Sequence, residues 1–358
     1  MESSHTLLAA ILLWLHLFLI LIVTARAKVP AIIVFGDSSV DAGNNNQVPT
    51  IARSNFRPYG RDFDGGKPTG RFCNGRLATD FISEAFGLRP FVPAYLDPEY
   101  SISDFAVGVT FASAGTGMIM QLLMYCSINS QGVIPLWREL EYYKDYQKRL
   151  RAYLGDWKAI DTLTNALYII SIGTNDFLEN YYSFPQRRMQ YTIDAYQEYL
   201  VGIARNFIVD LHSLGARKIS LGGLPPMGCM PLERAQNLAN GNDCMETYNI
   251  VAMKFNAKLY DLVMKLNKEI PGLQLVFSNP FYILLQIITR PSFYGFEVSE
   301  RACCATGMFE MGYTCSERSL FTCTNATKYV FWDAFHPTQQ TNKMVAEHVV
   351  KTALSNFL

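Results

Sequence analysis

The chain has 358 residues, long enough for a large hydrophobic core in one domain or two. Hydrophobic residues make up 49% and charged residues 17%, which fits a folded globule and excludes a disordered chain. Lys plus Arg and Asp plus Glu both number 31, so there is no global field to hold nucleic acid or an anionic membrane, and neither is expected as a partner.

The first element is a leader. Leu7 to Val23 is almost unbroken apolar sequence, and Ala25 and Ala27 behind it fit the small-residue rule for signal-peptide cleavage. Cleavage is expected after Ala27, with no membrane span left in residues 28–358. A retained anchor is the alternative, because Glu2 and His5 stand where a leader normally carries Lys or Arg. Export makes the 8 cysteines readable. All lie beyond Ala27 and are expected in disulfides, with Cys229–Cys244 closing a short loop and the four late ones (Cys303, Cys304, Cys315, Cys323) pairing among themselves. No paired C-x-x-C spacing occurs, so no zinc or other metal is expected. Asn325-Ala326-Thr327 is a glycosylation sequon.

Ala31–Phe35 is a short apolar run with β-branched residues, ended by Gly36-Asp37. Similar runs recur at Phe105–Phe111, Ala166–Ile172, Lys218–Leu221 and Leu273–Phe277, each reading as a strand buried on both faces. Residues 44–104, with their Pro, Gly, Asp and aromatics, read as a long ordered excursion over the sheet. Helices are expected at Leu136–Leu154, at Tyr191–Leu214 with Gly215 as its cap, at Tyr248–Glu269, and at Thr341–Leu354. This alternation predicts one α/β domain over 28–358. Its architecture is a three-layer, doubly wound, flavodoxin-like sandwich around a mostly parallel sheet of about five strands.

Sites in such sheets form beyond the C-terminal strand ends. The first end reads Gly36-Asp37-Ser38, the second Ala112-Ser113-Ala114-Gly115, the third Gly173-Thr174-Asn175-Asp176. Ser38 alone is more simply a turn or helix cap, Gly115 a turn glycine, and Asn175 a turn asparagine. Of 5 histidines, two fall in the leader, and His212 and His348 fall on predicted helices. His336 follows Asp333 by three residues, a spacing that lets the acid turn back onto one ring nitrogen while the other faces a nucleophile. By itself this pair reads more simply as a helix start. In this order, the set is more specific than any member.

The chain resembles the plant GDSL-type esterase/lipases of the SGNH hydrolase superfamily nearly end to end. The resemblance is carried by VFGDSSVDAGNNN (34–46), TGRFCNGR (69–76), GVTFASAGTG (108–117), ISIGTNDF (170–177), GGLPPMGCMPLE (222–233) and YVFWDAFHPT (329–338). It implies Ser38 as nucleophile, Asp333 and His336 as the rest of a triad, and an oxyanion hole from the Ser38 amide, Gly115 and Asn175. It implies an ester substrate (lipid, cutin-like or acetylated glycan) and no cofactor. Ser39 departs from the family's leucine. The expected activity is a secreted cell-wall or extracellular ester hydrolase. The alternatives are an acyltransferase in wall-polyester assembly and a non-catalytic glycan-binding protein on the same fold.

The resemblance fails after Gly117. Where relatives read close to Gly-Tyr-Asp-Asn-Ala-Thr, this chain has an apolar stretch rich in Met and Leu. Residues 118 to about 132 read either as a frame-shifted segment, which would deprive Cys126 of a native partner, or as an apolar lid.

Overall fold

The computed structural model describes residues 29–119 and 132–358. The leader, Cys126 and most of the divergent stretch after Gly117 lie outside the described residues.

The strands are β1 (Ile32–Gly36), β2 (Gly108–Thr110), β3 (Leu167–Ser171), β4 (Lys218–Gly222) and β5 (Gln274–Ser278). They form one sheet in the order β2-β1-β3-β4-β5, parallel throughout. The chain therefore winds one way from β1 to β2, then crosses back past β1 to β3 and on to β4 and β5. That reversal opens a crevice at the C-terminal end of β1.

Period-two side chains explain why both faces are covered. Ile33 and Phe35 enter one core with Tyr168 and Ile170, and Ile32 and Val34 enter the other with Leu167 and Ile169. The first core is closed by α3 (Leu136–Leu154), α4 (Asp156–Asn165), α6 (Ile193–Ser213) and α8 (Glu246–Glu269). The second is closed by α1 (Ala78–Ala85) and α10 (Gln339–Val349). Each fully buried Phe or Leu contributes about 1.5–3 kcal/mol against exposure, so these two cores are the main stabilising term. The short helices α2 (Ile102–Phe105), α5 (Pro185–Gln190) and α7 (Pro231–Gln236), with α9 (Phe281–Thr289), complete the set. Gly215 caps α6 as expected: its φ is 106°, and the Ala216 N–H turns back onto the Leu211 carbonyl at 3.0 Å.

Several expectations are corrected. The apolar run Phe105–Phe111 is split, and only Gly108–Thr110 is strand. Asp104 accepts from the N–H and hydroxyl of Ser101 at 2.8 and 2.7 Å, which nucleates α2 and takes Phe105 out of the strand. A second, two-stranded parallel sheet, β6 (Val298–Ala302) with β7 (Tyr329–Phe331), was not anticipated. The interior of β6 is Ser299-Glu300-Arg301, which hides its strand character. The last helix gives way to a wider turn, Val350–Leu354.

The expected pairing Cys229–Cys244 is present, and the four late cysteines pair as Cys303–Cys323 and Cys304–Cys315. Among the described residues, Cys73 is the exception, a buried free thiol. It is enclosed by the Asn74 side chain, the Arg76 carbonyl and the Asn342 amide, and burial pushes it up to about 12. Among the described residues, no helix is long and apolar enough to cross a membrane.

Candidate active site

Gly36 ends β1 with a φ of 144°, and a Cβ there would overlap the Ser171 carbonyl oxygen. Only glycine lets the chain leave β1 so close to β3. The Asp37 N–H continues the ladder to the Ser171 carbonyl at 3.1 Å, and one helical turn follows, with Asp41 N–H reaching the Asp37 carbonyl at 3.0 Å. The Asp37 carboxylate accepts from the N–H and hydroxyl of Ser39 at 2.9 and 2.7 Å. Burial raises its pKa, against the lowering effect of those two bonds. Ser39 also meets the Ser171 hydroxyl at 2.9 Å, so the family's missing leucine is replaced by a polar bridge to β3.

The acid and asparagines behind Ser38 lace the loop to its neighbours. Asp41 accepts from the N–H groups of Gly43, Asn44 and Ala114 at 2.7–2.9 Å. Asn44 donates to the Thr110 and Ala112 carbonyls at 2.9 and 2.8 Å and accepts from Leu96 N–H at 2.9 Å. Asn45 donates to the Ala52 and Ala114 carbonyls at 2.8 and 2.9 Å. Each side chain satisfies backbone groups that the excursion would otherwise bury without partners.

His336 arrives from the other end of the chain. α10 begins at Gln339 with Thr338 as its cap, so Asp333–His336 is a separate tight turn and not a helix start. Asp333 closes that turn by accepting from the N–H groups of Phe335 and His336 at 2.9 and 2.7 Å. Its two oxygens stand 2.8 and 2.9 Å from His336 Nδ1, and His336 Nε2 stands 2.8 Å from Ser38 Oγ. Ser38 and His336 are nearly buried, and Asp333 is wholly so. An imidazole so held can take the hydroxyl proton, and the carboxylate fixes its tautomer.

Asn175 lies at the end of β3 and lines the same cavity as Ser38 and His336. One of its amide hydrogens is committed to the Thr116 carbonyl at 2.8 Å, which leaves the other free to serve an anion. That bond ties Thr116, the residue after Gly115, to Asn175, although neither Gly115 nor Thr116 is among the residues lining the cavity. Asp176 reinforces it, accepting from Met118 and Ile119 N–H at 2.7 and 3.0 Å, and burial pushes this acid up to about 7. Among the described residues, neither the Ser38 N–H nor the Gly115 N–H has an acceptor. The other sequence candidates lie apart. His212 and His348 sit on α6 and α10 and do not line the cavity. Asn325 is exposed, its side chain accepting from Thr327 N–H at 3.0 Å.

The cavity has a volume of about 180 Å³. It runs from Ser38 and His336 between the sheet and helices α1, α9 and α10, walled by apolar side chains such as Ile82, Ile169, Leu224, Leu284 and Val345. Its deep polar groups, the Ser220 and Ser278 hydroxyls, bond each other at 2.6 Å. Apart from Asp37 and His336, both close to Ser38, no ionisable side chain lines the cavity among the described residues.

A family profile, GDSL-like Lipase/Acylhydrolase, matches residues 32–349. The chain belongs to this family. It is 62% identical over 338 residues to GDSL esterase/lipase At2g04570 of Arabidopsis thaliana, covering 94% of this chain and 95% of that one. It is 57% identical over 331 residues to the Arabidopsis GDSL esterase/lipase At2g42990, covering 92% of this chain and 93% of the relative. A third, At4g26790, is 56% identical over 331 residues, with the same two coverages. Such identity over nearly whole chains makes this GDSL-family protein a carboxylic ester hydrolase, acting on ester substrates.

Two contributors were missed from sequence. The Arg71 guanidinium grips Asp80 through two bonds, 2.9 and 3.0 Å, and both side chains are buried. The pair anchors Phe72, whose ring lies 5.0 Å from that of His336. Tyr59, from the excursion, donates its hydroxyl to Asp333 at 2.7 Å. Arg71 falls in the TGRFCNGR stretch that carries the resemblance, but nothing local points to its partner Asp80, and Tyr59, an aromatic in a Pro/Gly-rich stretch, reads as ordinary loop.

Proposed function

We propose that the protein is a secreted serine ester hydrolase that works through an acyl-enzyme on Ser38. His336 takes the Ser38 proton, the serine oxygen attacks the ester carbonyl, and the Ser38 and Gly115 N–H groups with the Asn175 amide receive the oxyanion. His336 then protonates the departing alcohol, and water, activated by the same imidazole, releases the acid. The observation that carries this reading is the unbroken contact from Asp333 through His336 to Ser38 at the mouth of an apolar cavity. Residues 1–27 act as the leader, residues 28–358 form one domain, and Asn325 is a glycosylation site. The three disulfides support an oxidising destination.

The cavity favours aliphatic acyl groups among the ester classes. The alcohol must leave before water can enter, so the part of the substrate lodged inside is the acyl chain. An acetyl group would leave most of that apolar space unfilled, whereas each buried methylene contributes about 0.8 kcal/mol. A p-nitrophenyl ester series from acetate to palmitate tests this. kcat/KM is expected to rise beyond acetate, and a maximum at acetate would contradict it. Ser38→Ala run alongside should abolish all of these activities.

A further inference from the structure

Tyr59 is wholly buried, and its ring is walled by aromatic rings: Phe56, Phe72 and Trp332, at centroid distances of 5.8, 5.8 and 6.0 Å. A phenylalanine would fill that space equally well. A buried hydroxyl is unfavourable unless it is bonded, so the oxygen needs its own explanation. It has two partners. It donates to Asp333 Oδ2 at 2.7 Å and accepts from Gly312 N–H at 2.8 Å. Apart from His336 Nδ1 at 2.9 Å, this hydroxyl is the donor that Oδ2 has among the described residues; the backbone bonds of the turn all go to Oδ1. Gly312 lies in the loop closed by Cys303–Cys323 and Cys304–Cys315. Tyr59 thus links the disulfide-closed loop to the carboxylate that faces His336.

We propose that Tyr59 is a positioning residue for the reaction: its hydroxyl, aimed by Gly312 of the disulfide-closed loop, holds Asp333 in plane with the His336 ring and moderates the charge the imidazolium feels. This rests on the Ser38–His336–Asp333 mechanism proposed above. Burial, and then the Asp333 charge, push the Tyr59 hydroxyl well above its ordinary range, so it remains a proton donor wherever the enzyme would be assayed. The other ionisable groups facing the pair are Asp37 and Glu179 on the His336 side and Cys73 beside Tyr59 and Asp333. None of these donates to Oδ2.

The test is the pH profile of Tyr59→Phe in the full chain, with p-nitrophenyl butyrate. Losing a hydrogen bond to a charged group is expected to lower kcat by about 10- to 100-fold. KM should hold, because Tyr59 does not line the cavity. A carboxylate stripped of this donor stabilises the imidazolium more strongly, so the acid limb of kcat/KM should move up by roughly half to one pH unit. Replacing Tyr59 by 3-fluorotyrosine, which keeps the shape and strengthens the donor, should move the limb the other way. In an Asp333→Ala background, Tyr59→Phe should add less than about a twofold loss, because both changes remove one unit. An unshifted limb with wild-type kcat would overturn the proposal. So would an equal fold-loss in both backgrounds, which would mean that Tyr59 acts through the fold. An Asp333→Ala protein with undiminished kcat would instead overturn the triad itself, a failure this design separates from the first.

Discussion

The Gly36 N–H donates to Oε2 of Glu139 at 2.9 Å, across 103 residues of sequence. The carboxyl group lies wholly buried beneath the strand end that presents Ser38. Burial pushes its pKa well above the ordinary range, and the neighbouring Asp41 and Asp37 push the same way. The folded protein therefore keeps a proton that an unfolded glutamate gives up above about pH 4.5.

The sign follows from linkage. Where the folded state binds more protons, stability falls as pH rises, so this group makes the fold less stable above about pH 4.5. Asp41, pushed up to about 6, and Asp176, to about 7, act in the same direction, each above about pH 4. Glu139→Gln keeps an acceptor for Gly36 and cannot ionise. Its Tm should therefore decline less steeply between pH 5 and 8 than that of the parent. Parallel Tm curves would show that Glu139 is not the group concerned.

Asn175→Ala removes the proposed oxyanion donor and also the bond from its amide to the Thr116 carbonyl. A loss of about 10²–10³ in kcat is expected, the scale of a deleted oxyanion donor. Substrate affinity should change little. A variant with normal kcat and raised KM would make Asn175 a binding residue.

Cys229–Cys244 closes a loop of separation 15, next to the segment that walls the cavity with Leu224, Pro226 and Met230. Chain-entropy arguments assign such a bridge about 3 kcal/mol. A Cys229→Ala/Cys244→Ala protein should melt several degrees lower in a thermal scan. A Tm unchanged from the parent would show that the packing around the Gly228 turn suffices without the bridge.

Much of this was legible in the chain because the signals were local. β1, β3, β4 and β5 announce themselves as apolar runs ended by glycine or polar residues, and Asp333 and His336 act within one turn. What was not legible depends on distance. Tyr59 reaches Asp333 across 274 residues, and Glu139 meets Gly36 from the first turn of a helix whose other positions look ordinary. Cys73 looked like a disulfide partner by compartment alone. Its burial beside Asn342, 269 residues away, makes it a packing residue in the structure. The split of Phe105–Phe111 turned on a capping acid that outweighed the apolar run.

The central claim is that Ser38 carries the acyl group. The most direct measurement is peptide mass mapping after treatment with a fluorophosphonate, an agent that phosphonylates an activated serine. A single adduct is expected on the peptide containing Ser38, with loss of ester hydrolysis in proportion and greatly slowed labelling in His336→Ala. Ester hydrolysis that persists in full while Ser38 stays unmodified, or in a folded Ser38→Ala protein, would contradict it.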